Sequence, residues 1–284
     1  MSCMSLLFSL NTLRLPRLSR ELTIVLLAGL LTMAAPLFAA EPQLITDRPD
    51  QTESPQTVKP GSVQIEIGAS FTNDEDGGIE TDSFSVPETL VRIGLTARTE
   101  LRVGWSGRQD VDVRIGRGSF SSTGSGDAEL GIKLALTDND QPGTQVGLLL
   151  SSSVPIGDDE FTSDSWDLSA RVLVAHTLTD SVSFSYNLGV ETFTEDDGFD
   201  EDTLAAAIYT ATLGFGLTDS LGAFLEIYGE IGLSAGGSPR HLFDGGFTYL
   251  VRDNVQLDIV AGVGISDPAD DWFVGVGVSF RLPG

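Results

Sequence analysis

The sequence predicts an all-β fold, a transmembrane antiparallel up-and-down β-barrel of about 12 strands and of the outer-membrane type. Three observations predict it. Apolar residues recur at every second position in run after run, which is the period of a strand and not of a helix. Short and long connections alternate between the runs, and an apolar export segment precedes them all.

The export segment comes first. Arg14, Arg17 and Arg20 precede an apolar run, Leu22 to Phe38, which ends in Ala39, Ala40, Glu41 and Pro42. A basic flank, an apolar stretch and small residues are the order of a cleavable signal peptide, assigned to residues 1–40. A retained anchor is the alternative, since the run nearly reaches bilayer length. The polar, proline-containing sequence that follows favours cleavage. Cys3, the only cysteine, lies in the part to be removed, so the exported chain has neither disulfide nor thiol.

Residues 41–61 form the second element, an N-terminal segment expected in the periplasm. Its stretch "ITDRPDQTESP", Ile45 to Pro55, has almost no apolar residues and two prolines, so it cannot build a core or continue a helix. Asp47, Arg48, Pro49 and Glu53 are its candidate functional residues at the barrel mouth. Asp47 and Arg48 are expected to dock on charges of the lumen or mouth, with Arg92, Arg102 and Glu100 as candidates. The segment is then a plug; the other reading is a tether.

Residues 62–284 form the barrel. "SVQIEIGASF" places Val63, Ile65, Ile67, Ala69 and Phe71 on one face, opposite Gln64, Glu66, Gly68 and Ser70. "ELRVGW" and "GDAELGIKLAL" repeat the pattern, as do later runs through "WFVGVGVSF". The runs fall near 62–72, 87–95, 100–106, 126–136, 144–154, 166–177, 182–191, 203–217, 221–231, 242–251, 255–265 and 272–282. Between them stand short Asp-, Asn- and Ser-containing turns such as "LTDS" and "VRDN". At the other end stand longer, mostly acidic connections, among them "NDEDGGIETDS" and "GRQDVDVRIGRGSFSSTGSG", read as loops.

An even number of tilted strands of about ten residues matches a bilayer, and closure satisfies every backbone polar group in hydrocarbon. The apolar faces are assigned outward. Both mature termini then lie on the short-turn side, expected to be periplasmic, with the loops extracellular. The rival is a soluble β-sandwich, in which so many strands with such regular two-sided connections are uncommon. The expected partners are the bilayer with its lipopolysaccharide and a small-molecule solute. The closing "GVSFRL" is similar to the C-terminal signal read by the barrel-assembly machinery.

Net charge is −25 for the whole chain. Without residues 1–40, which hold Arg14, Arg17, Arg20 and Glu21, 13 basic residues stand against 40 acidic ones, a net charge of −27. So acidic a chain does not suit nucleic acid. Its two histidines, His176 and His241, are isolated in sequence, and no glycine-rich phosphate loop or calcium-loop spacing appears. No catalytic residue, metal ligand or cofactor is therefore assigned, and an enzyme is not expected.

The polar strand faces supply candidate lumen residues. The acids are Glu66, Glu88, Glu100, Asp127, Glu129, Asp167, Glu191, Glu226, Glu230, Asp244 and Asp258; the bases are Arg92, Arg102, Lys133, Arg171 and Arg281. They can line a cation-favouring path or pair with one another in a narrow interior. Pairing is the expectation for Glu88, Arg92, Glu100 and Arg102, which cluster around one short turn. The acidic loops have two readings of their own, a collector of cationic solutes or a solvated surface.

Thr46, Asp47, Arg48, Pro49, Thr52, Glu53 and Ser54, followed by Pro60, Gly61 and Glu66, resemble the N-terminal signature of an outer-membrane transporter family. That family is the "putative MetA-pathway of phenol degradation". Further echoes are "PETLVRIGLTARTELRVGW" (Pro87 to Trp105), "GSGDAELGIKLAL" (Gly124 to Leu136), "VPIG" (Val154 to Gly157) and "GVSFRL" (Gly277 to Leu282). The resemblance implies a channel or transporter for small solutes, aromatic or hydrophobic compounds among them. The alternative is a closed structural or adhesive barrel whose acidic loops bind ligands or divalent cations.

Overall fold

The computed structural model describes residues 44–140, 142–196, 201–234 and 238–282. The signal peptide assigned to residues 1–40 lies outside them. Among the described residues the secondary structure is strand throughout, and every pairing is antiparallel.

β1 (Val63–Asp76) and β2 (Ile79–Thr96) open the barrel and β14 (Trp272–Leu282) closes it, paired to β1 from Val63↔Leu282 to Asn73↔Trp272. Between them run β3 (Thr99–Trp105), β4 (Arg108–Ile115), β5 (Gly118–Ser125), β6 (Ala128–Ala135) and β7 (Thr144–Val154). β8 (Leu168–Thr179), β9 (Val182–Asp196), β10 (Glu201–Gly216), β11 (Leu221–Gly232), β12 (Arg240–Arg252) and β13 (Val255–Gly264) complete the order. β2 pairs with β3 along one half and β4 along the other, while β6 pairs with β3 and β5 with β4. Hence β3–β4 and β5–β6 are two long strands, each bent once, and the closed wall has 12 strands.

Two stretches read as loops are strands. Residues 107–126 form the β4–β5 hairpin, and residues 73–83 continue β1 and β2 to a two-residue turn at Gly77 and Gly78. Their acids and serines look like loop sequence. Yet outside a bilayer a strand can be polar on both faces, so composition there does not report conformation. Gly77 and Gly78 have φ of 59° and 84°, the left-handed geometry that a tight hairpin turn demands. Gly107, at the bend between β3 and β4, has φ of 82° for the same reason.

The wall partitions as its alternation requires. Outward residues such as Leu101, Val103, Leu188, Val190, Ile259 and Val276 are exposed. A continuous apolar exterior of this kind is untenable in water and is the surface a bilayer solvates. Inward, Gln64, Glu66, Arg92, Glu100, Arg102 and Lys133 are among the most deeply buried side chains of the protein.

The assignment of apolar faces outward needs one correction. Phe224, Leu242, Val260 and Phe273 point inward and, with Ala269 and the flanking Tyr228, form an apolar cluster. Each shares strand parity or register with an inward group: Phe224 with Glu226, Leu242 with Asp244, Val260 with Asp258, and Phe273 opposite Gly262. One side of the lumen is therefore greasy.

Candidate functional site

The interior is crossed by the segment that precedes β1. Residues 44–61 hold Pro49, Pro55 and Pro60, none of which can donate to a sheet ladder, and the segment joins the wall only at Gly61, whose N–H donates to Gly94 O at 2.9 Å. Its other backbone donors are spent on lumen side chains instead. The amides of Asp47 and Arg48 donate to Glu66 Oε2 of β1 at 3.1 and 3.0 Å. Gln51 N donates to Glu226 of β11 at 2.7 Å. Glu53 N donates to Asn187 Oδ1 of β9 at 2.7 Å, and Asn187 Nδ2 returns a bond to Glu53 O at 3.0 Å. Val58 N donates to Glu100 of β3 at 2.7 Å. The segment thus reaches the wall on opposite sides of the lumen.

Asp47 is the hub. Its carboxylate is ion-paired to Arg92 at 3.0 Å, to Lys133 at 2.6 Å and to Arg102. It also accepts from Ser54 N at 3.0 Å, which folds the segment back on itself. Around this hub, Arg92 pairs with Glu100 at 2.8 Å and Glu66 at 3.1 Å, and Arg102 and Lys133 pair with Glu53 at 2.7 and 3.3 Å. Burial alone would discourage an ionised Asp47; Arg92, Lys133 and Arg102 outweigh it and hold the carboxyl well below the usual aspartate range. Arg48 turns the other way. It pairs with Glu88 of β2 at 3.2 Å and with Asp258 of β13 at 3.6 Å, and donates to Val276 O of β14 at 3.2 Å.

The remaining candidates divide by position. Glu226 receives the hydroxyl of Thr52 as well as Gln51 N. Glu129, Arg171 and Glu230 sit nearer the long-loop ends of their strands; Glu129 accepts from Ser151 at 3.2 Å, and Arg171 pairs with Glu191 at 3.3 Å. Asp127 and Asp167 lie just outside the strands. Asp127 accepts from the amides of Ile156 and Gly157 at 3.1 and 2.9 Å, and Asp167 from the hydroxyls of Ser163 and Thr194 at 2.9 and 3.0 Å, so both brace the connection between β7 and β8. Arg281 is buried at the short-turn end, opposite Gln64. Of the histidines, His176 bonds Thr144 Oγ1 and His241 bonds Tyr209 Oη, each at 2.9 Å, with no carboxylate on either ring among the described residues.

Sequence reasoning passed over Asn187, Thr210 and Gln256, neutral residues that hold the segment. Thr52 Oγ1 lies 2.7 Å from Thr210 Oγ1, and Gln256 Nε2 donates to Thr46 at 2.8 Å. The inward parity of Asn187 and Gln256 was readable, while that of Thr210 was not, because its strand is apolar on both faces; the role of all three as docking points was not.

Small residues make room for the segment. A Cβ on Gly94 of β2 would overlap the carbonyl oxygens of Val58 and Lys59, and one on Gly277 would stand 2.6 Å from Arg48 Nε. Gly94→Val is expected to lift residues 58–60 off the wall while the barrel still closes, because valine suits a strand. The check has two readouts: unchanged heat-modifiable migration in gels, and new cleavage after Glu53 by a glutamate-specific protease. Trypsin is a poor probe, since Arg48 and Lys59 each precede a proline.

A closed 12-stranded wall, an apolar exterior and an ionic interior define an outer-membrane β-barrel of the porin-like class. The family model described as "Putative MetA-pathway of phenol degradation" matches residues 46–282, and the chain belongs to that family. Among solved structures, the chain is similar in fold to the translocator domain of the autotransporter NalP from Neisseria meningitidis. That likeness has a TM-score of 0.52 at 13% identity, over 79% of this chain and 90% of that one. The β domain of the Bordetella autotransporter Brka gives 0.51 at 12% identity, over 78% and 100%. The NanC porin gives 0.50 at 9% identity, over 78% and 100%. No curated protein matches the chain.

Proposed function

We propose that the protein is an outer-membrane channel for passive passage of small solutes, closed at rest by its own N-terminal segment. The single observation that carries this is the path of residues 44–61. They fill the lumen through ionic and hydrogen-bonded side-chain contacts, and up to Pro60 no backbone pairing to the wall holds them there. A filler that served only packing would be expected to be apolar and continuous with the wall. This one is polar and prolyl, and its backbone meets the wall only at Gly61. The short turns and both ends of the exported chain are assigned to the periplasm and the acidic loops to the exterior, with lipopolysaccharide around the outer rim. The C-terminal strand is assigned to engagement by the barrel-assembly machinery. The inward cluster of Phe224, Leu242, Val260 and Phe273 favours solutes with an apolar body, in keeping with the family's description.

Planar-bilayer recording tests the channel. The folded protein is expected to show small, infrequent openings with weak preference for cations, since acids outnumber bases along the interior. Preference for anions would contradict the acidic lining. Absence of conductance, with or without residues 45–55, would leave the closed structural or adhesive barrel as the better reading.

A further inference from the structure

Glu226 and Asp244 are direct cross-strand partners on β11 and β12, and both face the lumen. Each is only 1% exposed. Their situations differ. Glu226 is satisfied by the N-terminal segment, through Gln51 N at 2.7 Å and the Thr52 hydroxyl. Asp244 is not satisfied: both of its carboxylate oxygens are buried without a hydrogen-bond donor. Asp50, of the segment, adds a third acid near the pair.

Nothing basic answers them. Arg48 is committed to Glu88 and Asp258, and Arg240 pairs with Asp270 at 2.7 Å. Among the described residues neither Glu226 nor Asp244 has an ion pair. A buried carboxylate with neither donor nor counter-charge is among the costliest arrangements a protein can hold. Two answers are open to such a pair: one proton shared between the two carboxyls, or a cation from outside the chain.

The surroundings say what kind of partner. Tyr228 and Leu242 are paired two residues along the same two strands, and Phe224 lies two residues the other way. The ring of Phe273 covers Gly262, the residue opposite Asp244, so closely that a Cβ there would stand 2.7 Å from Asp244 Cβ and also meet the ring. Two carboxylates therefore sit beside an apolar, partly aromatic wall. No three His, Cys, Asp or Glu side chains converge as metal ligands among the described residues. A carbon skeleton bearing one positive charge fits both features, the charge on the acids and the skeleton on the wall.

We infer that Glu226 and Asp244 form the lumen's binding site for an organic ammonium ion with an apolar body, which competes with Gln51 and Thr52 for Glu226. The inference deepens the channel reading and rests on it only in requiring that solutes reach the lumen. Occupancy and release of the plug are then linked: a cation on Asp244 gains its second carboxylate only as the segment lets go of Glu226.

The test uses benzylammonium, with benzyl alcohol as its neutral counterpart of similar shape, on the folded full-length barrel in detergent. Calorimetry is expected to show benzylammonium binding at least about tenfold more tightly than the alcohol, the scale of a charge-assisted contact. Asp244→Asn, nearly isosteric and relieved of a buried charge, should abolish that preference, whereas Asp219→Asn, in the exposed turn between β10 and β11, should leave it in place. A second readout needs no variant: benzylammonium, and not benzyl alcohol, should expose the Glu53–Ser54 bond to a glutamate-specific protease. Equal binding of the two compounds, binding of neither, or full preference in Asp244→Asn would overturn the site and leave the acids as a pair sharing a proton. No current is measured here. A barrel that binds without conducting thus refutes the channel alone, and one that conducts without discriminating refutes the site alone.

Discussion

Removal of residues 45–55 is expected to raise single-channel conductance by roughly an order of magnitude, the contrast between a filled lumen and one with a continuous aqueous path. The deletion takes out Asp47, Arg48, Glu53 and every bond from Gln51 and Thr52 to the wall. The wall itself should survive. Arg92 keeps Glu66 and Glu100, Arg102 keeps Glu100, and the β1–β14 seam is backbone-paired along its whole length. Unchanged heat-modifiable migration would confirm that the barrel still closes. Conductance equal to that of the intact chain would reduce the segment to a tether and remove the plug from the mechanism.

The second large effect belongs to one atom group. Asp47→Asn keeps the shape of the hub and removes the charge shared by Arg92, Arg102 and Lys133. Stripping one partner from a buried ionic cluster typically costs about 3–5 kcal/mol, because the charges left behind stay desolvated. Spent against docking, that sum shifts the docked-to-released ratio by a factor of about a hundred or more. The variant should therefore behave like the deletion: frequent, long openings, and ready cleavage after Glu53. The sign of the pH effect follows from the same carboxyl. Its pKa is lowered in the docked state, so its contribution is complete above the ordinary value of 3.8 and is lost as pH falls toward the lower docked value. Acid should release the plug of the intact chain and leave Asp47→Asn nearly unmoved. If Asp47→Asn recordings match those of the intact chain at neutral pH, the hub is not what holds the segment.

Most of the wall was legible because hydrocarbon enforces a rule that sequence can show. Residues facing lipid are apolar, their neighbours need not be, and the period is two, as in Val63 to Phe71 and Leu101 to Trp105. The rule lapses wherever lipid ends. "RQDVDVRI" and "GSFSSTGS" lie beyond the bend at Gly107 and pair as β4 and β5; the short stripe of Val111, Val113 and Ile115 on the first is set among Arg and Asp and has no counterpart on the serine-rich second. It also blurs where both faces are small or apolar. "VQLDIVAGVGI" offers Val260 to either side, and only its parity with Asp258 reveals that it turns inward. For the site, the ionic character of Asp47 and Arg48 pointed to charged partners. Which partners meet depends on how twelve strands stagger around a ring, and no local pattern encodes that.

Arg48 lies across the last seam to form. Its guanidinium reaches Glu88 on β2, Asp258 on β13 and the Val276 carbonyl on β14, and its side chain passes over Gly68 and Gly277, which face each other between the first strand and the last. A chain whose two edges have not yet met cannot offer those partners together. The segment that precedes β1 is therefore the last to be seated, and its seating requires the ring to be whole. An unfinished barrel would betray itself by a loose N-terminus, a conspicuous, protease-accessible flag on the molecules that a cell has reason to discard.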